Sequence, residues 1–135
     1  MKVLEIPAHT RAHIAFVFDG FAFTGDTLFA MGCGRLFEGT AGDMYDSLQK
    51  FAELPPDTLV CAGHEYTQSN AKFALSVDPE NTALQTRVKE VDALRRDGKA
   101  TLPVRLGVEM ATNPFLRALD APSLGRLRTA KDSFR

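Results

Sequence analysis

Residues 13–26 read HIAFVFDGFAFTGD, and this stretch decides the fold expected for the chain. Its first part, residues 13–18, is rich in β-branched and aromatic side chains, which favour β-strands. The Asp19-Gly20 pair that follows is a strong signal for a two-residue hairpin turn. Residues 21–24 resume the strand pattern. The stretch therefore predicts an antiparallel β-hairpin.

Two more strands and a helix are predicted around this hairpin. Residues 3–6 and 58–61 are short runs of the strand type, each closed by a turn residue. Residues 40–54 have apolar positions at helical spacing, and Thr40 with Asp43 resembles a capping box at the start of the helix. A helix between two strands indicates a crossover connection within a mixed α/β unit.

The remaining sequence is expected to be loop or helix. Five glycines between residues 25 and 42 predict a stretch that is mostly loop. Beyond the fourth strand, helices are predicted at residues 66–77, at 78–97 with Asp78-Pro79-Glu80 as the amino-terminal cap, and at 123–134. The pattern from 101 to 113 is irregular.

Composition excludes several classes of protein. The chain has 135 residues, the length of one domain, and its formal net charge of −1 makes a non-specific nucleic-acid or membrane-surface binder a poor interpretation. Its longest apolar run, residues 14–18, is too short for a transmembrane helix, and the first ten residues do not resemble a secretory signal. Two cysteines, Cys33 and Cys61, fit a reducing compartment, so we expect a cytoplasmic protein.

Three possible metal ligands each follow a predicted strand. They are His9, Asp26 and His64, and ligands at corresponding ends of neighbouring strands converge at one edge of a sheet. Imidazole with carboxylate suits zinc, iron or manganese, and one carboxylate can bridge two cations. On residue type alone, other interpretations stay open: the histidines could bond loop backbone, Asp26 could cap a turn, and His13 is expected to order its loop.

Four segments, in order, resemble one family closely. They are AHTRAH (8–13), FTGDTLFAMGCGRLFEGTA (23–41), CAGHEYTQSNAKFA (61–74) and ATNPFLR (111–117). Together they resemble glyoxalase II, the hydroxyacylglutathione hydrolases of the metallo-β-lactamase superfamily, from about residue 3 to residue 134. The resemblance implies an α/β fold: the second half of a metallo-β-lactamase-type αββα sandwich, residues 1–77, followed by a helical carboxy-terminal domain, residues 78–135.

The resemblance also implies an activity and a site. Members of the family hydrolyse S-(2-hydroxyacyl)glutathione, such as S-lactoylglutathione, to glutathione and a 2-hydroxy acid, a step of methylglyoxal detoxification, with water activated by two divalent metal ions (zinc, or iron or manganese). By matching motifs, His9 would ligate one metal, Asp26 would bridge both, and His64 would ligate the other. Arg35 and Tyr66 would contact glutathione. Arg128 and Lys131 would reach its carboxylates, although the spacing of these two also fits a solvated helix face.

Departures from the family pattern lead to further expectations. The His-x-His-x-Asp-His segment that supplies the other ligands is not found, so we expect weak metal binding and little or no thioesterase activity from this chain alone. Ala8 and Ala12 stand where the family usually has Gly, and Phe37 where Tyr is frequent. A half-sandwich would expose an apolar sheet face and a strand edge, which predicts a homo-oligomer or a partner chain supplying the amino-terminal half. Two alternatives stay open: a non-catalytic remnant that binds glutathione-like anions or a protein, and an inert structural domain.

Overall fold

The computed structural model describes residues 2–134, which contain seven β-strands and five α-helices. The strands are β1 (Lys2–Glu5), β2 (Ile14–Phe18), β3 (Phe21–Gly25), β4 (Leu28–Phe29), β5 (Gly32–Cys33), β6 (Leu59–Ala62) and β7 (Val104–Arg105). The helices are α1 (Ala41–Ala52), α2 (Thr67–Val77), α3 (Thr82–Arg96), α4 (Leu106–Thr112) and α5 (Ala121–Asp132). The mixed α/β class is as predicted. The proposed division at residue 77 stays a prediction.

The predicted hairpin lies at the centre of the sheet. Strands β2 and β3 pair antiparallel, with Phe18 opposite Phe21. Asp19 and Gly20 have φ of 52° and 80°, the left-handed values that a two-residue hairpin turn of this type requires. The sheet has five strands in the order β1-β2-β3-β6-β7, which is one strand more than the four predicted. The added strand, β7, pairs with β6 in the stretch that was expected to be irregular.

The parallel pair β3–β6 fixes where functional side chains can gather. Helix α1 lies between these strands in the sequence, as the crossover prediction required, and Gly25 pairs with Ala62 at their carboxyl ends. Thr40 begins α1 with the predicted capping box: its Oγ1 accepts from the Asp43 N–H at 3.2 Å, and the Asp43 carboxylate accepts from the Thr40 N–H at 3.0 Å. Residues that directly follow β3 and β6 therefore lie at the same edge of the sheet.

The helical segment differs from prediction in its boundaries. Helix α3 begins after Asn81, whose side chain accepts from the Leu84 N–H at 3.1 Å, and Asp78 ends α2 by donating its N–H to the Ala74 carbonyl. Asp78 therefore cannot be the cap of α3, because its backbone is still engaged with α2. Helix α5 begins two residues earlier than expected, at a cap formed by Asp120.

One face of the sheet is apolar and bare. Five large side chains on β1, β2 and β3 are between 41% and 57% exposed: Val3, Ile14, Phe16, Phe18 and Phe23. Val3, Phe16 and Phe23 lie opposite one another across the three strands. The other face packs on the helices and is buried. Among the described residues, β1 pairs only with β2 and leaves an open edge. The expected apolar face and strand edge are thus confirmed.

No helix within residues 2–134 combines the length and apolar character that crossing a bilayer requires.

Ala8 is buried in a backbone conformation that favours glycine. Its φ is 152°, its N–H donates to the Thr10 carbonyl at 3.0 Å, and its own carbonyl accepts from the Gly39 N–H at 2.9 Å. These bonds hold the strained conformation in place. Ala12, the other departure from the family's glycines, has no positive φ. Of the two alanines, only Ala8 carries a conformational cost.

Replacing Ala8 with Gly should therefore stabilise the protein. Relief of about 1–3 kcal/mol of backbone strain exceeds the added entropy of the unfolded chain, so we expect the free energy of unfolding to rise by about 0.5–1 kcal/mol. The matched variant Ala12→Gly should lower it, since no strain is relieved there. Urea denaturation of both variants and the wild type measures the difference. An Ala8→Gly protein less stable than the wild type would contradict this account.

Candidate functional site

A cavity of about 390 Å³ opens at the sheet edge where β3 and β6 end. We call it the pocket. All seven residues that the family resemblance singled out line it: His9, Asp26, Arg35, His64, Tyr66, Arg128 and Lys131. They come from loops that follow strands and from α5, and are far apart in the sequence. The structure therefore brings the predicted set together at one place.

Asp26 lies between the two candidate imidazole ligands. Its Oδ1 is 3.2 Å from His64 Nε2, and its Oδ2 is 3.8 Å from His9 Nε2. Each carboxylate oxygen thus faces a different ring nitrogen. This is the arrangement expected of a carboxylate that bridges two cations, each of which also has one imidazole ligand.

The tautomer of His9 follows from its second hydrogen bond. Nδ1 lies 3.0 Å from the Arg35 carbonyl oxygen, which can only accept, so Nδ1 carries the proton. In its neutral form, His9 then has an unprotonated Nε2 that faces Asp26. A ligating histidine is commonly oriented in this way, by a backbone carbonyl bound to its other nitrogen.

His13 orders the loop, as expected, and does not join the pocket. Its Nε2 accepts from the Asp26 N–H at 3.3 Å, so it holds the backbone of the carboxylate residue. If His9, Asp26 and His64 bound two ions, they would supply two donors for each ion. Within residues 2–134, no group of three or more His, Cys, Asp or Glu side chains is arranged to hold a metal ion.

Two glycines allow other chain segments to approach Asp26 closely. A Cβ on Gly63 would lie 2.8 Å from Asp26 Oδ1, and one on Gly34 would lie 2.0 Å from the Asp26 carbonyl oxygen. Any side chain at these positions would displace the carboxylate or its loop. The sequence predicts only a loop at Gly34. Its place in the motif GCGR, directly before Arg35 of the site, is the signal that indicates a larger role.

Aromatic rings form one wall of the pocket. His64 stacks on Tyr66 with ring centroids 4.9 Å apart, and Phe29 lies against Tyr66 at 5.1 Å. Phe37 packs on His9 at the opposite side. Phe29 was not predicted as a pocket residue, because β4, which carries it, falls in the glycine-rich stretch interpreted as loop.

Three cations, Arg35, Arg128 and Lys131, lie near one another in the pocket, and we call this group its cationic end. Burial lowers the pKa of Lys131, and the neighbouring charges of Arg128 and Arg35 lower it further. Arg35 is largely exposed, while Arg128 is only 6% exposed. The guanidinium of Arg128 donates to the Cys33 carbonyl and pairs with Asp132. The solvated-face alternative is therefore wrong for Arg128, although it fitted the helical spacing.

Cys33 lines the pocket beside Arg128. Burial raises the pKa of its thiol to about 11, against a partial lowering by the Arg128 charge. The thiol is therefore protonated at neutral pH, and it adds no anionic ligand to the Asp26 region.

Comparison with known proteins matches almost the whole chain. The family model described as "Hydroxyacylglutathione hydrolase C-terminus" matches residues 65–134, and that of the metallo-beta-lactamase superfamily matches residues 3–64. A hydroxyacylglutathione hydrolase of Xanthomonas euvesicatoria pv. vesicatoria (strain 85-10) is 63% identical over 116 residues, which cover 86% of this chain and 46% of that protein. A hydroxyacylglutathione hydrolase of Chelativorans sp. (strain BNC1) is 61% identical over 121 residues, which cover 88% of this chain and 48% of that protein. The chain spans about half the length of the curated relatives it matches.

Solved structures are similar to this chain in fold. The structure of ETHE1 from Myxococcus xanthus superposes with a TM-score of 0.66 at 24% identity, over 99% of this chain and 47% of that one. The structure of TTHA1623 in a di-iron-bound form has a TM-score of 0.53 at 27% identity, over 85% of this chain and 42% of that one. The structure of a metallo-beta-lactamase from Staphylococcus aureus subsp. aureus COL has a TM-score of 0.60 at 18% identity, over 96% of this chain and 38% of that one. The fold is therefore part of a metallo-β-lactamase domain.

Proposed function

Because the chain belongs to the hydroxyacylglutathione hydrolase family, we propose that its pocket serves the hydrolysis of S-(2-hydroxyacyl)glutathione, with S-lactoylglutathione as the substrate. One observation carries the proposal: a carboxylate, Asp26, lies between two imidazoles in the same pocket that three cations line. The carboxylate and imidazoles suit metal ions, and the cations suit the carboxylates of glutathione. A cytoplasmic location stays a prediction.

The donor set fits two divalent ions only in part. His9 with Asp26 would hold one ion, and His64 with Asp26 the other. Two protein donors for each ion fall short of the three expected at a catalytic zinc site. When bound, such ions lower the pKa of a water molecule and polarise a carbonyl. Imidazole and carboxylate donors are compatible with zinc, iron or manganese, and a solved neighbour, TTHA1623, is described as di-iron-bound.

Recognition of glutathione is assigned to the residues at the cationic end. Arg35 and Lys131 lie beside the pocket with part of each side chain exposed, so both can meet a carboxylate. Arg128 adds positive charge there, although its guanidinium already bonds within the protein. Tyr66 is half exposed on the aromatic wall and presents a hydroxyl that can donate to the peptide part of glutathione.

Binding of glutathione itself tests this assignment without any catalysis. A Lys131→Met variant keeps most of the side-chain length and removes the charge, so we expect its dissociation constant to rise about five- to tenfold in calorimetric titration. Lys89→Met, an exposed change on α3, is the matched control and should bind as the wild type does. Equal affinities for the two variants would contradict the assignment of Lys131.

A second candidate function is glutathione binding without hydrolysis. It is favoured by the incomplete metal site of residues 2–134. In both candidate functions the cationic end binds glutathione. They differ only in whether Asp26 and its neighbouring imidazoles take part in hydrolysis. Turnover of S-lactoylglutathione in the presence of zinc separates them.

The bare sheet face is proposed to pack against a second sheet. We assign that sheet to the half of the metallo-β-lactamase domain that the relatives have and this chain does not match, on the same chain or on a partner. The support is a large apolar area on adjacent strands, together with solved neighbours of which this chain covers less than half. Association of two copies through this face is the competing outcome, which sedimentation of the purified chain would detect.

A further inference from the structure

The turn between β4 and β5 is buried, which is unusual for a hairpin turn. Ala30 and Met31 are at most 1% exposed, and Gly32 is buried as well. Turns normally lie at the surface, because water satisfies their backbone groups. Inside the protein these groups need protein partners, since an unpaired buried group is costly.

Two side chains bind this turn: that of Glu109 in α4 and that of Asn113, which directly follows α4. Asn113 Nδ2 donates to the carbonyl oxygens of Phe29 and Gly32, each at 3.1 Å. Glu109 Oε1 accepts from the Met31 N–H at 2.8 Å and from Asn113 Nδ2 at 3.0 Å. Met31 has a φ of 57°, so these bonds also hold a residue in the left-handed region.

Two more helices bind the same segment. Asn70 of α2 donates from Nδ2 to the Ala30 carbonyl oxygen at 3.2 Å. Arg128 of α5 donates to the carbonyl oxygen of Cys33. Side chains far apart in the sequence thus fix five backbone groups between residues 29 and 33. That segment leads directly into Gly34 and Arg35 of the pocket.

Glu109 is itself held by a charged residue on another helix, α3. It is fully buried, and its Oε2 pairs with the guanidinium of Arg87 on α3. Arg87 also donates to Thr112 Oγ1, and that hydroxyl donates to the Val108 carbonyl. Neither Glu109 nor Arg87 lines the pocket. An ion pair outside the pocket therefore positions a segment that forms its wall.

We infer that Glu109 and Asn113 are positioning residues for the pocket. By holding the β4–β5 turn, they place Phe29 on the aromatic wall and fix the chain up to Arg35, whose carbonyl sets the tautomer of His9. The inference rests on the proposed function only in treating this cavity as the substrate pocket. Its test needs neither metal nor substrate, so it can fail independently of that function.

The test compares two double variants that both lack the ion pair. Arg87→Met with Glu109→Gln keeps an acceptor for the Met31 N–H, whereas Arg87→Met with Glu109→Ala removes it. Both are made in a Cys61→Ser background, which leaves Cys33 as the single thiol. The first readout is the alkylation rate of Cys33, and the second is the ¹⁵N shifts of the ring nitrogens of His9, with His13 as the internal reference.

We expect the alanine variant to alkylate at Cys33 at least about tenfold faster than the glutamine variant, because the turn opens without its acceptor. The two His9 nitrogen shifts should also move toward each other as the tautomer becomes mixed, while the His13 shifts stay. Equal alkylation rates in the two variants would overturn the inference, and so would identical His9 shifts.

If both double variants unfold, Asn113→Ala takes their place. This change removes the donors to the Phe29 and Gly32 carbonyl oxygens and places no second carboxylate beside Glu109. A folded Asn113→Ala protein should show the same rise in Cys33 alkylation and the same change at His9. Wild-type behaviour in both measurements would overturn the inference.

Discussion

An Asp26→Asn variant should bind zinc at least about 100-fold more weakly than the wild-type chain, because the change removes the carboxylate that both ions would share. An amide oxygen has nearly the size of the carboxylate oxygen but carries no net charge. It can ligate at most one of the two ions, and only weakly, so one ion would keep a single imidazole and the other an imidazole with a neutral oxygen. The wild-type affinity is itself expected to be weak, so competition with a chromophoric chelator is the suitable measurement.

Asp57→Asn is the matched control for this loss. Asp57 is exposed and lies just before β6, at the opposite end of that strand from His64. The Asp57→Asn substitution removes the same charge as Asp26→Asn. It should leave the zinc affinity within about twofold of the wild-type value, since exposed charges beyond a Debye length are screened. Equal zinc affinities for Asp26→Asn and the wild type would show that Asp26 does not bridge the ions.

The second large effect concerns catalysis. Alone, the chain should hydrolyse S-lactoylglutathione at least on the order of 10³-fold more slowly than the Xanthomonas euvesicatoria relative, because two donors for each ion do not hold a catalytic pair. A fusion that places the unmatched half of that relative before this chain should recover most of the difference. It should also cover the apolar sheet face and sediment as a single species.

Two results would contradict this expectation. The first is turnover by the isolated chain at a rate near that of the relative, with about two equivalents of bound metal. The second is a folded fusion with metal bound and no activity. Asp26→Asn in the fusion is the control, since it should remove the recovered activity and leave the covered sheet face unchanged.

Local signals in the sequence account for the parts of the fold that were predicted correctly. The turn at Asp19-Gly20 and the cap formed by Thr40 and Asp43 depend on residues within three or four positions of each other. The β4–β5 hairpin was missed because its strands have two residues each and are held by Glu109 and Asn113, about 80 positions away. Patterns within a short window cannot reveal such partners.

The candidate site likewise has residues that local sequence predicts and residues whose roles depend on tertiary contacts. His9, Asp26 and His64 were placed by their positions after strands, and the parallel pairing of β3 with β6 brings Asp26 and His64 to the same edge. The roles of Gly34 and Gly63 depend on how closely two segments approach, which sequence spacing does not give. Burial of Arg128 was unexpected, because a charged residue at helical spacing is usually solvated.

The parallel pairing of β3 and β6 also bears on how the protein folds. Their contact closes a loop of more than thirty residues, so it has a high contact order and forms late compared with the β2–β3 hairpin. Asp26 and His64 meet only when that loop closes. The candidate metal ligands are therefore brought together after the hairpin has formed, and a chain that has formed only its hairpin has no site for an ion.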